Sequence, residues 1–209
     1  MVVRDNPIGE AGVMPPRNTT QSSSAARLPR RDRRDQLLEA ARRLVVEVGV
    51  DAFTMEGLAA RAGVSKALPY RHYENAGAVL TDLYQREMLT LAERVASAPL
   101  RGDERARARA LVHSYFEAVA DRSDVLAALT APGSWVPARA DGARRDGVHF
   151  VTRLLTDRFG IEPTAARSRA AILLGAFTGA TDAWAYGDSP RHTLEAVLVA
   201  HVVTAVTGS

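Results

Sequence analysis

Lys66, Ala67, Leu68, Tyr70 and Arg71 place a cation, two apolar groups, a phenol and a guanidinium within one short stretch. If that stretch is a helix standing clear of a core, these side chains suit the major groove, where base edges present donors, acceptors and methyl groups. The chemistry is that of reading a polymer, not of transforming a substrate. Enzyme motifs are missing: no glycine-rich loop with lysine, no Gly-x-Ser-x-Gly and no His-Glu-x-x-His. His113 and Glu117 share a helix face at i, i+4, but two ligands without a third read as a surface pair, so no metal is expected. The absence of cysteine excludes disulfides, thiolate metal sites and cysteine nucleophiles. Neither an enzyme nor a cofactor-dependent protein is expected.

A reading helix needs a support, and the residues before it supply one. Thr54 suits the cap of a short helix over Met55 to Ala62, and Gly63 supplies the left-handed corner that ends it. Ser65 suits the cap of the next, from Lys66 to about Tyr73. Ala59 and Ala62 are small enough for close approach, and Val64 anchors the corner. Upstream, Leu37, Leu38, Ala41, Leu44, Val45 and Val48 recur at helical spacing between Asp32, a cap, and Gly49. Three helices with a tight turn between the last two make a helix-turn-helix.

The run Thr54-Met-Glu-Gly-Leu-Ala-Ala-Arg-Ala-Gly-Val-Ser-Lys-Ala-Leu-Pro-Tyr-Arg-His-Tyr73 resembles the DNA-binding signature of the TetR family of transcriptional regulators. The resemblance covers about residues 33 to 80, and the rest of the chain matches in layout alone. It implies that Thr54, Ser65, Tyr70 and His72 touch the DNA backbone and that Lys66, Ala67 and Leu68 lie at base edges. Arg71 is then placed for a bidentate guanine contact. Two departures stand out. Pro69 replaces a helix former, which leaves open whether the reading helix is shortened or kinked, and Ala76 stands where a phosphate-binding lysine is common.

Charge agrees with a polyanion partner. Residues 1–75 hold 12 cationic and 9 anionic side chains, whereas residues 76–209 hold 15 of each, so the whole net charge of +3 lies in the first third. Arginines 27, 30, 31, 33 and 34 cluster at the end of a Pro-, Ser- and Gly-rich stretch read as a disordered arm, residues 1–31, able to reach a minor groove. Lys66 is the only lysine, and the 26 arginines are read as genomic base composition, as expected of a GC-rich bacterium, rather than as function. No signal segment or membrane-spanning run is apparent, so a cytoplasmic protein is expected.

The remaining pattern is helical throughout, and the fold class is all-α with about nine helices. A helix-turn-helix domain over 32–75 precedes a larger helical body over 76–209. Long apolar-periodic segments follow Asn75 and Asp103. A short helix from Asp124 to Thr130 comes next, then one ending at Gly160, one from Pro163 to Tyr186, and a last one with Ser189 as cap and Pro190 at its first position. In the family this body binds a small-molecule effector and dimerises through its last two helices. Two half-sites on DNA independently require two reading helices on a two-fold axis. The homodimer face is expected at Gly175, Gly179, Leu194, Val197, Leu198, Val202 and Val206. An effector pocket is expected from Tyr84, Met88, His113, Phe116, Trp135, His149, Phe150, Phe177 and Trp184. With few charges among these, an apolar or aromatic effector fits. The expected function is a repressor of a palindromic operator on double-stranded DNA, released by its effector. A helical small-molecule binder or enzyme with a vestigial helix-turn-helix is the competing reading, and the sequence does not separate an activator from a repressor.

Overall fold

The computed structural model describes residues 30–131, 133–136 and 141–208. The proposed arm, apart from Arg30 and Arg31, lies outside these residues. Among them are nine helices and no strand: α1 (Arg30–Val48), α2 (Met55–Ala62), α3 (Ala67–His72), α4 (Ala76–Ala96), α5 (Glu104–Ala120), α6 (Ser123–Leu129), α7 (Asp141–Phe159), α8 (Pro163–Ala185) and α9 (Arg191–Thr207).

Three caps sit where residue chemistry puts them. The Thr54 side chain accepts from the Gly57 amide at 3.0 Å, Asn75 from Ala78 at 2.9 Å and Asp103 from Ala106 at 2.8 Å. Three expectations are corrected. Asp32 lies in the first turn of α1 rather than at its cap, because Arg30 and Arg31 extend the helix. Ser65 does not cap α3 through its side chain: Lys66 is the cap residue, and the Ser65 carbonyl accepts from the Leu68 amide. Ser189 is drawn into the preceding turn, its amide donating to Ala183, which leaves Pro190 as the cap of α9 and Arg191 as its first residue.

Two apolar clusters hold the chain. The first joins α1, α2, Phe53, Tyr73 and the first half of α4, and it also takes Val125 and Leu129 of α6. The second joins α5, α7, α8 and α9 with Val95 at the end of α4. Among the described residues α4 is therefore the one helix whose two halves belong to different cores. Between them Glu87 is fully buried, at 0% exposure, and bonded to Arg122. α1 is tied across to the body by Glu39–Arg86 at 2.9 Å and Arg42–Asp124 at 3.3 Å.

Candidate nucleic-acid interface and effector cavity

The corner between α2 and α3 is built by Gly63, whose φ of +66° few other residues adopt without strain. The Val64 amide donates to the Ala59 carbonyl at 3.0 Å and the Gly63 amide to Ala60 at 3.2 Å, which satisfies the open carbonyls at the end of α2. α2 lies close on α1 because position 57 has no side chain: a Cβ there would stand 3.3 Å from Leu44 and 3.0 Å from the Thr54 hydroxyl. Gln36 of α1 donates to the Ala62 carbonyl at 3.2 Å, and Arg61 pairs with Glu47.

On this frame α3 turns Lys66, Ala67, Tyr70 and Arg71 outward, with Leu68 and His72 half-buried and Pro69 and Tyr73 buried. Tyr70 is 52% exposed, and its hydroxyl donates to Glu56 at 3.3 Å. Pro69 is the third residue of α3, inside the first turn, where an amide has no intrahelical acceptor, so it forfeits no helix hydrogen bond. Its carbonyl still accepts from the Tyr73 amide at 2.9 Å. Exposed Thr54 and Ser65 complete the surface. Of the eight sequence-derived positions, six are exposed and two, Leu68 and His72, are half-buried.

Tyr73, just beyond α3, is placed by two side chains. Its hydroxyl donates to Asp82 of α4 at 2.6 Å, and Arg34 of α1 donates to the same carboxylate oxygen at 2.9 Å while its guanidinium stands 5.1 Å from the tyrosine ring centre. Burial and then the Asp82 hydrogen bond push this phenol far above its ordinary pKa, so it remains a donor at working pH.

A cavity of about 940 Å³ opens among α4, α5, α7 and α8. Its wall is chiefly apolar, including Leu91, Tyr115, Leu154 and Leu173. Five expected pocket residues line it: Tyr84, Met88, His149, Phe150 and Phe177. Burial raises the Tyr115 phenol to about 12, and it shares a 2.6 Å hydrogen bond with Thr181.

Four expected pocket residues lie elsewhere. Phe116 is fully buried against Trp184, ring centres 5.5 Å apart, and both are covered by Arg191, which bonds to Glu117 at 2.7 Å and Glu195 at 2.6 Å. His113 is exposed on the same α5–α9 seam, 3.8 Å from Glu195. Trp135 packs on the first core cluster, because α6 folds back against α1 and carries the following loop with it. No group of three metal-ligating side chains occurs among the described residues. No helix among them is long and apolar enough to cross a membrane.

The expected dimer residues also divide. Gly175 and Gly179 face outward, and a Cβ at either would meet nothing within 4 Å. Val197 is 49% exposed and Leu194 and Val206 are half-buried. Leu198 and Val202 are corrected: each is 2% exposed and belongs to the protomer's own core. Ile172, 70% exposed and seven residues before Gly179, extends the outward face and escaped the sequence reading. Its signal was an isoleucine in register with the two glycines.

Residues 37–80 match the family model described as bacterial regulatory proteins, tetR family. The chain is 41% identical over 93 residues to the HTH-type transcriptional activator FasR of Mycolicibacterium smegmatis, covering 44% of this chain and 42% of that one. An uncharacterized HTH-type transcriptional regulator of Mycobacterium tuberculosis is 36% identical over 93 residues, with 44% and 46% covered. The chain thus aligns with under half the length of these relatives. Among solved structures, FadR of Bacillus subtilis in complex with stearoyl-CoA has a TM-score of 0.60 at 16% identity, covering 84% of this chain and 98% of that one. A tetR-family regulator from Rhodococcus sp. reaches 0.66 at 15% identity, with 84% and 99% covered. These likenesses establish the fold well beyond the matched segment.

Proposed function

We propose, from the match of residues 37–80 to the model described as bacterial regulatory proteins, tetR family, that this chain is a regulator of that type: a dimeric cytoplasmic repressor that binds a palindromic operator and leaves it when an apolar small molecule enters the cavity. The observation that carries the reading is the outward face of α3, with Lys66, Ala67, Tyr70 and Arg71 free of the core beside a glycine corner. Two such faces on a two-fold axis would read two half-sites about one helical turn apart. The pairing face would be the stripe of Ile172, Gly175 and Gly179 with Val197. The cavity supports an effector with a long apolar part, in line with the stearoyl-CoA held by the Bacillus subtilis FadR. Effector binding would act by favouring the arrangement of α4 that separates the two reading helices wrongly for the operator. A vestigial helix-turn-helix finds no support, since the similar proteins are regulators.

Gel-shift titration with a palindromic fragment from the protein's own promoter region tests this. Replacing Arg71→Ala should cost about 1–3 kcal/mol on the preferred site and relax base preference at one position per half-site, whereas Tyr70→Phe should weaken all sequences alike. Binding no tighter to that fragment than to scrambled DNA would remove the reading.

A further inference from the structure

The cavity wall does not stop at the helical body. It continues past Tyr84 and Gln85 to Arg34 and Leu38 of α1, and it includes Asp82 of α4. Two members of the Arg34–Asp82–Tyr73 cluster therefore border the space that an effector would fill, and the third is the residue that ends α3. A single oxygen, Oδ2 of Asp82, accepts from both Arg34 and Tyr73. It joins the start of α1, the end of the reading helix and the connecting helix α4.

Other cations on the wall differ in availability. Arg86 is occupied, bonded to Glu39 at 2.9 Å and lying 3.9 Å from buried Glu87. Arg144 and Arg153 at the body end have no carboxylate in ion-pairing range among the described residues. Arg34 has one carboxylate partner, Asp82, besides the Tyr73 ring it lies over, and its side chain is 52% exposed. Pairs that open to solvent are weakly held, so a better-placed anion can take the guanidinium. The wall also carries the carboxylates of Asp35 and Asp146, which disfavour an anion with no cation to receive it.

We propose that the effector is an apolar chain with an anionic head, and that the head takes Arg34 from Asp82, loosening the contact that holds the end of α3 to α4. This rests on the cavity being the effector site. It supplies what population shift demands: a contact made only without ligand, Arg34 to Asp82, and one made only with it, Arg34 to the head. Carboxylate and phosphate heads share the required chemistry.

The full chain is titrated by calorimetry with hexadecanoate, hexadecanoyl-CoA and the neutral hexadecanol, and operator affinity is measured with and without each. Wild-type protein should bind at least one acid-headed probe about tenfold tighter than the alcohol and lose about tenfold in operator affinity when it is bound. A preference for hexadecanoate identifies a carboxylate head, and a preference for the CoA thioester a phosphate-bearing one. Arg34→Gln should bind acid and alcohol alike and respond to neither by more than twofold. Asp82→Asn, which frees Arg34 in advance, should bind the acid probe more tightly and show lowered operator affinity without ligand. Arg42→Gln, away from the cavity, should behave as wild type. An Arg34→Gln protein that still discriminates and responds overturns the proposal alone, as does an unaltered Asp82→Asn protein. If wild type binds none of the three probes, the proposal falls together with the effector reading.

Discussion

Arginine in place of Gly179 is expected to leave each protomer folded, to prevent pairing, and to lower operator affinity on the order of 10³-fold, toward non-specific binding. Nothing within 4 Å would obstruct a side chain there in the single protomer. In an exposed helix interior, exchanging glycine for a better helix former stabilises by up to about 1 kcal/mol. The damage would fall on the dimer alone. Ile172, Gly175 and Gly179 recur along one outward stripe of α8, and an isoleucine 70% exposed beside two glycines suits close helix contact rather than water. A guanidinium in that contact would lose its hydration without gaining a partner. With the two-fold axis gone, each reading helix would bind as a lone half-site. Sedimentation equilibrium beside a gel-shift titration checks both halves. A Gly179→Arg chain that still dimerises would show that pairing lies elsewhere, and a monomer that binds the operator normally would show that pairing is not needed.

The reach of the sequence can be judged from such residues. Helical spacing locates α3 to within one residue, and Gly63 marks its corner, because these features depend on local backbone alone. α9 shows where that logic ends. Leu194, Val197, Leu198, Val202 and Val206 are apolar around much of the helix, so period cannot say which side faces inward. Packing against α5 and α8 decides it, burying Leu198 and Val202 and leaving Val197 outside. Trp135 suggests a pocket by standing in a loop, yet the return of α6 onto α1, a contact between segments about 80 residues apart, sends it to another core. Arg34 reads as one member of a basic cluster until Asp82 is found beside it. Glu87 escaped the sequence reading, although it stands in register with Leu80 and Leu83 on a face otherwise committed to the core.

That register makes Glu87 a buried charge among apolar neighbours. Replacing its partner, Arg122→Met, is expected to cost about 3–5 kcal/mol, the usual penalty when a buried ion pair loses one member. Glu87 has no exposure at all. One carboxylate oxygen accepts from Arg122, while the other has no hydrogen-bond partner, the nearest cation being Arg86 at 3.9 Å. Removing Arg122 would strand a charge that is poorly satisfied already. For a chain of this length the midpoint should fall on the order of 10 °C. The double replacement Glu87→Leu with Arg122→Met should recover most of the loss, since an apolar pair carries no desolvation cost. Urea unfolding of wild type, single and double variants at one protein concentration measures this, with an unchanged slope showing that the folded and unfolded states remain comparable. A single variant losing under about 1 kcal/mol would mean that Arg86 closes onto the carboxylate and carries the charge instead. The double variant also isolates what the pair does for regulation. Glu87 sits where α4 passes from the first core to the second, so a chain as stable as wild type but no longer released from DNA by its ligand would make the ion pair part of the switch rather than of the scaffold.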